Sequence, residues 1–201
     1  MITALFVEDG GVYCDRAGID PWTIERDART YRGPYRVIAH PPCKRWGRYW
    51  SGGPSAKVRR KLGDDDGCFA AALWAVRTFG GVIEHPEASK AWDWFGIARP
   101  NRRGGWTHAD AYDGRSCCVE QGHYGHRARN ATWLYAVGCA PLEMEWGPSR
   151  GVRLDCGFHS AEERAAAPVS ERARERESAK QRLATPGPFA DLLIRLVGGA
   201  E

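Results

Sequence analysis

One cysteine of this sequence stands in a setting suited to covalent chemistry. Cys43 follows two prolines at the end of a short apolar run, residues 37–39. Each proline fixes φ and removes a backbone N–H donor, so the loop that carries the thiol is stiff. Lys44 and Arg45 come next, and cationic neighbours lower the pKa of a thiol and make it a nucleophile. The alternative interpretation is a buried, inert cysteine in a turn.

A second apolar run ends in the same way. Residues 82–83 lead into Glu84, His85 and Pro86. Because the carboxyl ends of parallel strands meet at the sheet edge where ligands bind, we expect Cys43 and Glu84 to share one site if their strands are neighbours. His85 has its own alternative, since a histidine at a strand end more often forms a structural hydrogen bond than acts as an acid.

A thiol and a carboxyl that face one another are the groups that attack on a pyrimidine ring requires. The thiolate adds to C6, and the acid protonates N3 and stabilises the charge that would otherwise build up on the base. Arginines from a third element can hold the carbonyl oxygen. A base inside a duplex cannot be reached, so the substrate is expected to be a flipped or single-stranded base, or a free nucleotide.

Two polar, glycine-rich loops, residues 44–67 and 98–115, hold the greatest concentration of Arg, Lys and Trp. We expect them to border the site and to bind a phosphate backbone, with salt-dependent affinity. Trp46 or Trp50 is then expected to stack on a base or to fill the gap that a flipped base leaves. The alternative is that tryptophan fills the core, which we expect of Trp74 and Trp133.

The elements that position these residues are strands interleaved with helices, which predicts an α/β sheet with Rossmann-like order. The predicted strands are residues 3–8 (continued by 12–13), 36–40, 82–86, 116–121, 131–137 and 142–146. The predicted helices are residues 21–31, 68–79, 88–95 and 188–197. Residues 160–183 are highly charged and are expected to form a solvated helix or a flexible segment.

Length and composition are those of one soluble globular domain, residues 1–201, with 43% hydrophobic and 27% charged residues. The net charge of +4 permits a polyanionic partner without requiring one. No apolar run approaches the ~20 residues that span a bilayer, so no membrane partner is expected. Without a basic n-region or a regular disulfide framework among its seven cysteines, the protein is expected to be cytoplasmic.

Taken in order, these motifs resemble those of the DNA (cytosine-5) methyltransferases, and most closely the short methyltransferase-like proteins of phages and prophages. The resemblance covers most of residues 36–197. It rests on Pro41-Pro42-Cys43, on Glu84-His85-Pro86, on Gln121 with Arg127-Ala128-Arg129, on the strand at 132–137 and on the segment at 182–196.

The resemblance implies a transferase that acts on DNA or a pyrimidine nucleotide. It assigns Cys43 as the nucleophile, Glu84 as the residue at N3, and Arg127 or Arg129 as the contact to the ring oxygen. The remaining substrate-binding candidates are Pro42, Lys44, Arg45, Trp46, His85, Gln121 and His126.

The resemblance also implies S-adenosylmethionine as the methyl donor, bound by the first strand and its glycine loop. The candidate residues are Phe6, Glu8, Gly10 and Asp20, with Phe6 placed to face an adenine ring. Only about thirty residues separate this loop from Pro41, too few for two βα units of roughly 30 residues each. We therefore expect a methyltransferase-like sheet whose N-terminal half is compressed, with Asp20 or Asp27 replacing the usual acidic ribose-binding residue.

Two other classes of protein remain open at this stage. The first is a nucleic-acid- or nucleotide-binding protein that derives from the same fold and lacks catalysis; it would not need a thiol at position 43. The second is a zinc-stabilised binding module. Its candidate ligands would be Cys117, Cys118, His123, His126, Cys156 and His159.

Overall fold

The computed structural model describes residues 1–47, 49–52, 57–150 and 184–199. In these ranges the strands are β1 Ile2–Leu5, β2 Ile19–Trp22, β3 Arg36–Ala39, β4 Gly81–Pro86, β5 Thr107–His108, β6 Arg115–Glu120 and β7 Ala131–Val137. The α-helices are α1 Cys68–Phe79, α2 Lys90–Trp94 and α3 Gly187–Gly198. Two short 3-10 helices span Ala28–Thr30 and Gln121–Tyr124.

The strands of the described ranges form one mixed sheet in the order β2-β1-β3-β4-β7-β6-β5. The first four strands are parallel, and β7, β6 and β5 add to them in antiparallel fashion. The predicted α/β class is confirmed, and the sheet is compatible with a Rossmann-like fold. Because the chain passes from β1 to β2 on one side and then to β3 on the other, the winding direction reverses between β1 and β3. Ligands of open α/β sheets bind at such a reversal.

The two strands that lead to Cys43 and Glu84 are direct neighbours, as predicted. β3 and β4 are parallel, with Ile38 opposite Val82 and Ala39 opposite Ile83. All four side chains are fully buried. Such strands read as continuous apolar runs because helices cover both faces of the sheet.

Helices pack on both faces of the sheet, and this decides where each residue of β4 points. Ile83 belongs to the core on the α1 side, together with Phe69. Val82 belongs to the core on the α3 side, together with Leu193. Since side chains alternate along a strand, Glu84 points to the α3 side and His85 to the α1 side.

Several predicted elements differ from the structure. The helix predicted at residues 21–31 is wrong: Ile19–Trp22 is an edge strand paired with β1, and a 3-10 turn follows it. An edge strand accepts Pro21, which lacks an N–H to donate. The strands predicted at residues 12–13 and 142–146 are also wrong; these segments contribute buried Tyr13 and Met144 to the core without strand pairing.

Other predicted elements are confirmed, among them α1 and β7 with the bounds given above. No helix in the described part of the chain is long and apolar enough to cross a bilayer. The charged segment predicted at residues 160–183 lies outside the described residues.

The close packing of β3 against β4 predicts that Gly81→Ala is strongly destabilising. A Cβ at Gly81 would lie 1.9 Å from the Val37 carbonyl oxygen, and its φ of +133° is rarely adopted by L residues. We expect a loss of about 3–5 kcal/mol in the free energy of unfolding, measured with urea. The control is Gly67→Ala, where φ is +77° but no atom lies within 4 Å of the added Cβ. This variant should lose only about 1 kcal/mol, and equal losses would contradict the prediction.

Candidate active site

A cavity of about 980 Å³ lies at the carboxyl ends of β1, β3 and β4. Cys43 and Glu84 both line it, as the sequence predicted. Its other walls come from the loop after β1, from the segment around Gln121 and Thr132, and from residues just before α3. The volume is near the upper end of the range for ligand pockets, roughly 300–1,000 Å³, so the cavity has room for more than a single base.

Glu84 is held by hydrogen bonds on both of its oxygens. His40 Nδ1 lies 3.0 Å from Oε2, Gln121 Nε2 donates to Oε1 at 3.2 Å, and the Thr132 hydroxyl donates to Oε1 as well. Burial alone would raise the pKa of Glu84, but the hydrogen bond and charge of His40, with the Thr132 hydroxyl, hold it below its ordinary value. The side chain is therefore a carboxylate that accepts from three donors.

The imidazole of His40 links this carboxylate to the loop after β1. Its Nε2 lies 2.9 Å from the hydroxyl of Tyr13, which is buried. Burial, and then the charge of Glu84, raises the pKa of Tyr13 well above its ordinary value, so the phenol keeps its proton. With one proton on the ring, Tyr13 donates to Nε2 and the Nδ1–H donates to Glu84; with two, both ring nitrogens donate.

The expected activation of Cys43 by its cationic neighbours is wrong. Burial, and then the charge of Glu84, raises the pKa of the thiol. Lys44 is exposed, and Arg45 donates to the backbone carbonyl of Trp50 at 3.2 Å. Neither cation is among the groups that shift the pKa of Cys43, and the resting residue is a thiol.

Trp46 and His85, both expected to contact substrate, have buried rings. Trp46 is 1% exposed, and its indole N–H donates to Asp65 at 2.8 Å. The His85 ring packs against Phe69 and Trp92 on the α1 side, where burial lowers its pKa to about 4. The Trp46 assignment needs correction, because an aromatic ring that fills the core contributes apolar packing rather than base contacts. His85 lines the cavity from the end of β4, although its ring packs against Phe69 and Trp92.

The segment with Gln121 enters the cavity only in part. Gln121 is buried and lines the cavity, whereas His126 is buried outside it and accepts from the backbone N–H of Ala128 at 3.0 Å. Arg127 and Arg129 are exposed and do not line the cavity. The buried side chain of Ala128 between them turns its two neighbours outward, so the structure does not bring either arginine to Glu84.

Only some of the residues predicted to hold the methyl donor line the cavity. Phe6 and Glu8 line the cavity, and Phe6 has a φ of +58°, a strained conformation of the kind that collects at ligand sites. Gly10 completes the turn at a φ of +62° without lining the cavity. Asp20 is outside it and accepts from Trp22 and Arg26.

The two basic loops also differ from expectation. Among their described residues only Lys44 lines the cavity, and no residue of the loop at 98–115 does. That second loop packs instead against the segment before residue 146, where Trp106 donates to the carbonyl of Leu142 at 2.9 Å. Residues 48 and 53–56 of the first loop lie outside the described residues.

The described residues give little support to the zinc-stabilised module. Cys117 and Cys118 are consecutive on β6 and pack into the opposite cores. Within the described ranges, no group of three or more His, Cys, Asp or Glu side chains lies in a position to hold a metal ion. Cys156 and His159 lie outside these ranges.

Four residues line the cavity without a role predicted from the sequence: Tyr13, His40, Thr132 and Thr185. His40 carried a signal, since it begins the rigid Pro-Pro loop at the end of β3. Tyr13 carried none, because its contact with His40 joins residues 27 positions apart.

Comparisons with known proteins do not identify the chain. No protein-family model matches it, and a search of curated proteins finds no match.

Proposed function

We propose that the protein is a pyrimidine-modifying enzyme of the DNA (cytosine-5) methyltransferase type, with Cys43 as the nucleophile and Glu84 as the carboxyl at N3. One observation carries the proposal: a thiol and a carboxyl from the ends of neighbouring parallel strands line one cavity at the point where the sheet reverses its winding. The order of the motifs along the chain supports the same reading.

The first chemical step follows from these two groups. The Cys43 sulfur forms a bond to C6, the electron pair of the C5=C6 bond moves to form C4=C5, and the C4=N3 pair moves onto N3. N3 takes up one proton from the side of Glu84, which avoids a negative charge on the ring. C5 becomes electron-rich and reacts with an electrophile. Solvent then takes the proton from C5, and its electron pair forms C5=C6 as the S–C6 bond breaks and releases the thiolate. N3 returns its proton to Glu84, which restores the aromatic ring.

S-adenosylmethionine, when bound, would supply the electrophilic methyl group. The residues of the loop after β1 fit such a donor, because Phe6 offers an aromatic face and Glu8 and Asp9 offer carboxylates within the cavity wall. Gly11 closes the turn by donating its N–H to the Glu8 carbonyl at 3.0 Å, and a Cβ there would lie 2.7 Å from that oxygen. Ribose hydroxyls would be bound by Glu8 or Asp9 rather than by Asp20.

The test is covalent trapping with an oligonucleotide that contains 5-fluorocytosine, in the presence of S-adenosylmethionine. Fluorine at C5 blocks the final elimination, so an active enzyme should accumulate a protein–DNA adduct that survives denaturation and is detected by mass spectrometry. Cys43→Ser should abolish the adduct. The matched control is Cys68→Ser, a partly exposed cysteine outside the cavity, which should keep it.

One observation favours a second candidate, a binding protein without catalysis. The pKa of Cys43 is raised rather than lowered, which disfavours the thiolate in the resting protein. In that case the oligonucleotide should bind without any adduct, and Cys43→Ser should leave the affinity unchanged. Trapping only in the absence of the methyl donor would keep Cys43 as the nucleophile and change the group that is transferred.

A further inference from the structure

The cavity contains a hydrogen-bonded chain that the steps above leave unexplained. It runs from the Tyr13 hydroxyl through both ring nitrogens of His40 to Glu84, with separations of 2.9 and 3.0 Å. Its three members come from the loop after β1, the end of β3 and β4. Tyr13 is 2% exposed, and the His40 and Glu84 side chains are 12% and 13% exposed.

Glu84 in its resting form has no proton to give. It accepts from His40, Gln121 and Thr132, and this set of donors stabilises the carboxylate. N3 of cytosine is itself an acceptor, so a carboxylate placed against it repels the ring. The reaction therefore requires one proton that the resting Glu84 lacks. The same resting site holds one proton too many, on the Cys43 thiol.

We propose that His40 and Glu84 act together, first as the general base that takes up the proton of the Cys43 thiol and then as the general acid that delivers this proton to N3 of the pyrimidine. The inference rests on the proposed function and adds His40 to it as a positioning residue that acts through Glu84. One proton leaves sulfur and is taken up by the Glu84 carboxyl, which keeps its hydrogen bond from His40 Nδ1, and N3 receives that proton as the S–C6 bond forms. No external proton is consumed in this step.

The charges around the pair agree with this role. The loop after β3 contributes Cys43 and Lys44 to the cavity wall, and the loop after β1 contributes Glu8 and Asp9. A thiolate at Cys43 would stabilise a proton on the pair, because the charges of Cys43 and Glu84 interact. From β4 itself, His85 is buried and remains neutral near pH 7. Tyr13 faces Arg16 and Asp191, which form an ion pair with each other and so add little net charge.

The rate of adduct formation should therefore be bell-shaped in pH. In the acid limb the pair is already protonated and cannot accept the thiol proton. In the alkaline limb the thiol has ionised to solvent and the pair has no proton to deliver. The alkaline limb can be assigned independently from the pH dependence of Cys43 alkylation by iodoacetamide.

The experiment compares wild type with His40→Asn, whose side-chain amide keeps a donor near the Nδ1 position but cannot carry a proton. Single-turnover adduct formation should slow about 100-fold, with unchanged affinity for the oligonucleotide, and the acid limb should move with the titration of the Glu84 carboxyl. In the ligand-free proteins, the ¹³C titration of the Glu84 carboxyl should move to higher pH in the variant, because His40 lowers that pKa.

Tyr13→Phe is the second variant, since it retains the imidazole and removes only the donor to Nε2. Its ¹⁵N imidazole signals should no longer show a single Nδ1–H tautomer, and the reaction should slow less than in His40→Asn. If thermal unfolding shows that His40→Asn does not fold, Tyr13→Phe tests the role of the His40–Glu84 pair in its place.

The possible failures are distinct. A wild-type protein that forms no adduct at any pH overturns the proposed function itself. A wild-type adduct with an unchanged pH profile and rate in His40→Asn and Tyr13→Phe overturns only the role of the pair. Equal losses of oligonucleotide affinity and of rate in His40→Asn would show that the residue is merely structural.

Discussion

Replacement of Glu84 by Gln is expected to slow covalent adduct formation by about a thousandfold. The amide keeps the size of the carboxyl and still accepts from His40, but it can neither take up nor deliver a proton. Its NH₂ group also faces the donors of Gln121 and Thr132, so one of those hydrogen bonds is lost. We expect that loss to lower the free energy of unfolding by about 1–3 kcal/mol, which leaves the protein folded.

The measurement is the single-turnover rate of trapping with the 5-fluorocytosine oligonucleotide, next to the affinity for the same oligonucleotide. The matched control is Glu87→Gln, a carboxyl three residues further along that pairs with Arg102 and does not line the cavity. It should react at the wild-type rate. An equally fast Glu84→Gln variant would remove Glu84 from the chemistry and leave Cys43 as the sole reactive group.

The features of this site that could be predicted are those that depend on residues close together in the sequence. Residues 37–39 and 82–83 are apolar runs that stop at proline-containing turns, and burial on both faces of a parallel sheet produces that pattern. The pairing of β3 with β4, and the shared cavity of Cys43 and Glu84, follow from it. The Tyr13–His40 contact could not be predicted in this way, because a hydrogen bond between distant segments leaves no periodic signal.

Tryptophan shows a second limit of sequence reasoning. Trp92 lies in a polar aromatic stretch but is fully buried, since its indole N–H finds Ser116 at 3.1 Å. Trp74, expected in the core, is 44% exposed, with the guanidinium of Arg32 5.1 Å from its ring. Whether an indole is buried depends on a partner for its N–H, and that partner is supplied by the tertiary fold rather than by neighbouring residues.

The buried ring of His85 predicts a loss of stability in mild acid. Burial lowers its pKa from the ordinary value of 6.5 to about 4 in the folded protein. Between these two values the unfolded chain binds a proton that the folded protein does not, so the free energy of unfolding falls as pH decreases from 6.5 towards 4. The difference corresponds to about 3 kcal/mol, and below the folded pKa His85 contributes no further loss.

Urea unfolding at several pH values across this window should show the loss in wild type and its absence in His85→Phe. Phenylalanine is an aromatic ring that can pack between Phe69 and Trp92. His108→Gln is the control, because His108 is exposed and its replacement should leave the pH dependence unchanged. Glu84 acts separately: its lowered pKa adds stability that is lost only at a pH below its ordinary value of 4.5. If the free energy of unfolding falls with pH as steeply in His85→Phe as in wild type, another group causes the acid sensitivity. His85 would then not be a buried neutral imidazole.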